Sequence, residues 1–232
     1  MKSTLEELLA SNDVVVADGA MGSRLMAAGL SSGQPSELWN VENPAAVRAV
    51  HRSYIEAGSQ IILSNSFVGS RTSLDRHDLA ERTVELNQAA AENARAEADA
   101  ASRPVVVGGS IGPCGEMFEP FGPLNAENGA ALFAEQASAL AAGGVDVFWI
   151  ETMSDLQEVM AAVAGCRQAD PALPVVTTMS FDRKGRTMMG VTPEQALESL
   201  RPLGVMALGG NCGNGPDEIL GVIEKMHALD PG

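Results

Sequence analysis

The stretch VDVFWIETMSDLQEVMAAVAGC, Val145–Cys166, decides how this chain folds. It opens on a short, almost wholly apolar run rich in β-branched and aromatic residues, as a strand covered on both faces requires. Glu151 stands at the end of that run. A polar turn follows, then a helical segment with Ser154 as its expected N-cap. Strand, turn and helix make one β-α unit, and the same grammar recurs along the chain. VVVADGAMG begins at Val14, IILSNSFVGS at Ile61 and VVVGGSIGPCG at Val105; VVTTMSFDRKG begins at Val175 and VMALGGNCGNG at Val205. Helical segments separate these runs, among them PAAVRAVHRSYIEAG, LAERTVELNQAAAENARAEADA and AENGAALFAEQASALAAGG. TPEQALESLRPLG adds Thr192 as cap and Pro193 at the first helical position, and GPDEILGVIEKMHALD is the last. The N-terminal MKSTLEELLASND reads as a short amphipathic helix.

Six β-α units in alternation fit either an open doubly wound sheet or a closed barrel. GAMG, after the first run, lacks the spacing of a dinucleotide-binding loop. The unusual residues stand at the C-terminal ends of all six runs, where a barrel assembles its site. The expectation is therefore an α/β fold, a (β/α)8 TIM barrel with about six of its units present. Residues 1–232 would form a single domain, C-terminally incomplete, because ALDPG stops where a seventh strand is due.

Composition narrows the function. The chain is 45% hydrophobic and 19% charged, as a globular core with a solvated surface requires, and only 4% aromatic. Its formal charge of −15 repels nucleic acid and anionic lipid, so neither is an expected partner. No apolar run is long enough to cross a bilayer, and the N-terminus carries acids where a signal peptide needs basic residues. Three widely spaced cysteines are no disulfide framework and point to a reducing cytoplasm.

Several strand-end motifs together carry a resemblance. DGAMGSRL, ELWNVENPAAVRAVHRSYIEAGSQIILSNSF, GPCGEMFEPFG, WIETM and GGNCG resemble, in this order, the homocysteine S-methyltransferase family. That family includes betaine–homocysteine methyltransferase and the homocysteine domain of cobalamin-dependent methionine synthase. The resemblance implies a (β/α)8 barrel that makes methionine from homocysteine with Zn2+ bound by three thiolates. One thiolate would be Cys212, in GGNCG; the other two, an adjacent pair, are expected beyond Gly232. The chemistry suits the metal, since a thiol attacks a methyl group well only as a thiolate and zinc deprotonates it.

The resemblance also assigns roles to other strand ends. Glu151 would bind the substrate ammonium, or else cap the next helix. Asp18 and Gly19 would lie against the amino acid part of homocysteine, or Asp18 would only organise its turn. Ser64 and Asn65 would line the pocket or satisfy loop backbone. Asn211 would position the neighbouring sulfur or bond an adjacent strand. Trp39 matches a region near the donor site of betaine-using relatives, where an aromatic face attracts a quaternary ammonium; packing is its alternative. Trp149 is expected in the core, Cys114 is not expected to ligate, Cys166 reads as a buried helix face, and His51, His77 and His227 receive no role.

The expected partners are homocysteine and a small methyl donor, betaine-like in the first instance, with S-methylmethionine or methylcobalamin as alternatives; a homo-oligomer remains open. A Schiff-base aldolase fits poorly, because Lys2, Lys184 and Lys225 all lie away from strand ends. The competing non-enzymatic reading is a metal-free, truncated barrel acting as a scaffold, since one thiolate does not hold zinc tightly.

Overall fold

The computed structural model describes residues 4–12, 14–182, 184–213 and 215–230; Lys2 and the last two residues of ALDPG lie outside them. In chain order the elements are α1 (Leu5–Ser11), α2 (Gly22–Ala27), α3 (Trp39–Glu42), α4 (Pro44–Ala57), β1 (Ile61–Leu63), α5 (Arg71–Asp75), α6 (Thr83–Ala100), β2 (Val106–Ile111), α7 (Ala126–Ala142), β3 (Val147–Met153), α8 (Leu156–Ala169), β4 (Val175–Met179), α9 (Pro193–Leu200), β5 (Ala207–Gly210) and α10 (Pro216–Leu229). The five strands are parallel and pair in the order β1-β2-β3-β4-β5, each joined to the next through helix. Sequential parallel pairing is the order of a barrel wall, and the described strands form a partial barrel.

Two expectations need correction. The run beginning at Val14 is not a strand: among the described residues it makes one parallel bridge, Ala17 to Ile61. The reason is a competing partner, because the Val16 N–H donates to the side-chain oxygen of Gln60 at 3.2 Å rather than to a backbone carbonyl. The run still lies alongside β1, with Gln60 N donating to Val16 O at 2.7 Å and Asp18 N to Ile61 O at 2.9 Å. Among the described residues the wall therefore has five strands and a bridged segment where six strands were expected. The N-cap of α8 is Asp155, whose carboxylate accepts from Gln157 N, and not Ser154. The α9 start matches expectation, with Thr192 and Gln195 forming a capping box and Pro193 in the first turn.

Alternation along each strand sorts the side chains. Ile62, Val107, Ile111, Phe148, Ile150, Val175 and Met179 point outward and are buried under the helices, in one core with Phe133, Leu140, Val159 and Cys166. Ile61, Val106, Val147 and Val176 point inward and form the floor of the interior. Leu63 and Trp149 stand above them. Gly108 shares that middle layer, and a Cβ there would lie 2.6 Å from the Leu63 side chain. The absence of a side chain at 108 is what lets Leu63 and Trp149 share the level.

The floor is sealed by α1. Thr4 and Glu7 close its N-terminus with a capping box, and Leu5 and Leu8 insert against Ile61, Val106, Val147 and Val176. On the outer side, His51 of α4 is fully buried, and burial holds it down to about 4, so it packs as a neutral ring. The α1 contact yields a paired test. Leu5→Ala, at a position only 3% exposed, should cost about 2–4 kcal/mol of unfolding free energy in a urea titration. Leu9→Ala, 46% exposed on the same helix, should change it by less than about 0.5 kcal/mol. Equal effects would mean that α1 does not plug the barrel.

Candidate functional site

The top layer of the interior is polar. Continuing the alternation upward from Val147 and Trp149 brings Glu151 inward at the C-terminal end of β3. Its Oε1 accepts a hydrogen bond from the Ser110 hydroxyl of β2 at 2.6 Å. Ser110 is held in turn: its N–H donates to Ser64 Oγ at 3.0 Å, the Ser64 and Ser66 hydroxyls are 2.7 Å apart, and Ser66 Oγ donates to Ser110 O at 2.8 Å. Asp18 follows the Ala17 bridge, and its Oδ2 accepts the Leu63 N–H at the end of β1, 2.9 Å away. Gly19 lies under Tyr54, where a Cβ would meet the ring hydroxyl at 3.1 Å, and that hydroxyl donates to Ala20 O at 2.9 Å. Tyr54 thus fixes the Asp18 turn to α4.

The two carboxyls share an environment that disfavours charge. Burial pushes Asp18 up to about 7, outweighing the Leu63 N–H that opposes it, and the neighbouring Glu151 carboxylate raises it further. Burial also raises Glu151 above the usual carboxylate range, against the help of the Ser110 hydroxyl. Neither forms an ion pair among the described residues.

At the same end, β5 delivers Asn211 and Cys212. Cys212 is exposed and adopts φ 58°, a left-handed conformation uncommon outside glycine. The Asn211 amide gathers three strand ends. Its Oδ1 accepts from Thr152 N at 3.0 Å and from Thr178 Oγ1 at 2.9 Å, and its Nδ2 donates to Thr152 Oγ1 at 2.7 Å. The same Nδ2 lies 3.4 Å from Cys212 Sγ. A cavity of about 410 Å³ lined by Ser154, Ser180, Phe181, Asp182, Met188 and Gly213 opens beside this group.

The other singled-out residues lie elsewhere. Asn65 is buried, and its amide donates to Ser36 O at 2.7 Å and to Asn40 Oδ1 at 2.9 Å, tying the loop after β1 to the segment before α4. Trp39 is half-buried in a cluster with Leu25, Leu30, Val47 and Val50. Cys114 is buried and its thiol is pushed up to about 12, chiefly by burial; Cys166 is buried and shifted the same way. Among the described residues, no three His, Cys, Asp or Glu side chains come together as a metal cluster. The sequence reading passed over Thr152, Thr178, Ser110 and Glu37. Ser110 had a signal, a lone hydroxyl in an apolar run. Glu37, fully buried, accepts the Val68 N–H at 3.0 Å and braces the loop after β1. Nothing in the sequence marks Thr152 for a left-handed backbone.

The family model described as homocysteine S-methyltransferase matches residues 15–231. The chain is 32% identical over 222 residues to a methionine synthase of Mycobacterium tuberculosis, covering 90% of this chain and 18% of the relative. It is also 32% identical over 219 residues to that of Mycobacterium leprae, covering 89% and 18%. The chain thus spans less than a fifth of the length of these curated relatives. In structure it resembles the homocysteine methyltransferase MmuM from Escherichia coli, metallated form, with a TM-score of 0.84 at 25% identity over 97% of this chain and 83% of that one. The apo form of the same protein gives 0.78 over 96% and 80%.

The Asp18 environment predicts a pH dependence of stability. The folded protein holds the Asp18 proton up to about pH 7, whereas an ordinary carboxyl loses it near 3.8. Its contribution is therefore fullest below about pH 4 and declines as the pH rises towards 7. Asp18→Asn keeps an acceptor for the Leu63 N–H and removes that decline. In urea titrations from pH 4 to 7 the variant should gain on the parent by an amount on the order of 3 kcal/mol. Parallel curves would show that Asp18 titrates normally.

Proposed function

The chain belongs to the homocysteine S-methyltransferase family, and on that footing we propose that it transfers a methyl group to the sulfur of homocysteine, giving methionine. The observation that carries this reading is the pair Asp18 and Glu151: two inward carboxyls at one barrel end, both held towards neutrality and neither ion-paired among the described residues. An ammonium between them supplies the missing positive charge. Its binding lowers both pKa values, so the carboxyls ionise and release protons as substrate enters. Homocysteine has an ammonium at one end and a thiol at the other. Seating the first against Asp18 and Glu151 leaves the second free to reach the rim where Cys212 stands.

We also propose Zn2+ as the cofactor, with Cys212 as one ligand. The donor set fits in part: the sulfur is exposed at the rim, which suits a thiolate ligand, while the described residues offer no cluster of three. The remaining ligands in this proposal come from protein outside those residues. The metallated form of the E. coli relative supports a metal. Bound there, zinc would supply a deprotonated, fixed substrate sulfur. The chain's own residues do the rest. Asp18 and Glu151 anchor the ammonium, Ser110 and Ser64 hold Glu151 in its rotamer, and the Asn211 network fixes the rim. Alignment of sulfur with methyl carbon is the main contribution of such a site.

We propose a betaine-like donor, whose amine departs neutral and needs no acid; S-methylmethionine, whose sulfide also departs neutral, and methylcobalamin are the alternatives. Trp39 no longer supports this choice, since it packs among α2 and α4. We take residues 1–232 as a homocysteine-binding barrel domain working in a reducing cytoplasm. No described helix is long and apolar enough to cross a membrane.

Protein loaded with Zn2+ should form methionine, read by mass spectrometry, from homocysteine and one of the three donors. Cys212→Ala should lower both zinc content and turnover, the latter by at least about 100-fold. Glu151→Gln should raise the KM for homocysteine about tenfold. Undiminished turnover in Cys212→Ala sinks the zinc role. No zinc and no methionine in the parent leaves the scaffold reading standing.

A further inference from the structure

We propose that Thr152 is a positioning residue for Cys212. Its hydroxyl and its left-handed backbone, acting through Asn211, hold the sulfur towards the rim. The inference rests on the reading of Cys212 as the sulfur ligand of the site. Thr152 adopts φ 63°, a conformation that is costly for a β-branched side chain and persists only where its surroundings enforce it. It sits where the pairing of β3 with β4 shifts register, between Ile150 and Met153. That shift turns both polar groups of Thr152 towards β5.

There they meet one amide twice. Thr152 N donates to Asn211 Oδ1 at 3.0 Å and Asn211 Nδ2 donates to Thr152 Oγ1 at 2.7 Å, a closed pair of bonds spanning from β3 to the end of β5. From β4, between them, Thr178 Oγ1 donates to the same Oδ1 at 2.9 Å. The amide so fixed presents Nδ2 to Cys212 Sγ at 3.4 Å, and Thr152 Oγ1 lies 3.9 Å from that sulfur. Cys212 is itself left-handed, at φ 58°. A staple between strand ends needs none of this strain, because glycine adopts the same backbone without cost. Only a side-chain hydroxyl at that point reaches both the amide and the sulfur.

The test uses Thr152→Val, Thr152→Ser and Thr152→Gly in the full protein. Thr152→Val should weaken Zn2+ affinity about tenfold in chelator competition. It should lower kcat while leaving the KM for homocysteine within about twofold, since the ammonium anchors are untouched. Thr152→Ser should restore affinity to within about threefold of the parent. Thr152→Gly, relieved of strain, should melt at or above the parent temperature and still lose affinity as the valine variant does. Parent-like affinity in the valine variant, or losses that follow melting temperature without rescue by serine, would overturn the proposal.

A second readout separates it from the zinc reading. In metal-free protein Cys114 and Cys166 are buried and Cys212 is exposed, and peptide mapping by mass spectrometry after iodoacetamide at one fixed pH reads alkylation at Cys212 itself. Thr152→Val should be alkylated at Cys212 at least about threefold more slowly, because the sulfur is no longer held towards the rim where the reagent meets it; Thr152→Ser should react like the parent. Equal rates would overturn the clamp whether or not zinc binds. A parent that binds no zinc, together with a slowed valine variant, would retain the clamp and end the zinc role.

Discussion

A parallel strand in a curved wall sends only every second side chain inward, and this alternation governs the molecule. In β3 it stacks Val147, Trp149 and Glu151, from apolar floor to polar rim, and hands Phe148 and Ile150 to the helices. In β2 it stacks Val106, Gly108 and Ser110, so that a small residue stands beside Trp149 and a hydroxyl beside Glu151. In β4 it places Thr178 above Val176, where it meets Asn211. One geometric rule thus produces a sealed apolar bottom and a polar top. A one-residue slip would bury Glu151 under α8 and turn Ile150 towards the mouth.

The rim is kept at a cost to the fold. Two carboxyls are drawn out of water without a counter-ion among the described residues, and Thr152 and Cys212 both hold left-handed backbones. Folding alone would remove these features. They are tolerable because the wall around them is rigid: the Ser64–Ser66–Ser110 hydroxyls, Tyr54 over the Asp18 turn, and the Asn211 amide each receive their partners from different strands or helices. In the function proposed above, a cationic substrate group at the carboxyls would relieve one part of this cost.

The helices and most strands were legible because their signals are local. Pro193 and Thr192 mark the start of α9, and Pro44 to Ala57 carries the periodicity of α4. The first run misled because its apolar residues look like a strand, yet pairing depends on Gln60, forty-four residues away, whose side chain takes the Val16 N–H. Ser154 and Asp155 both make good caps on paper, and only the register of the turn chose Asp155. Asn65 and Trp39 carried chemistry that suits a pocket, but tertiary packing spent them on loop anchoring and on the α4 cluster.

By itself the sequence determined the β-α alternation, the family motifs and the gathering of Asp18, Glu151, Asn211 and Cys212 at one end of the wall. These follow from periodicity and strand direction, which are properties of contiguous residues. Only the tertiary structure decided that Asp18 and Glu151 titrate as neighbours, that Ser110 orients Glu151, and that Thr152 is bent to meet Asn211. Those outcomes depend on distances between strands far apart in the chain, and desolvation and hydrogen-bond geometry exist only once the strands have paired.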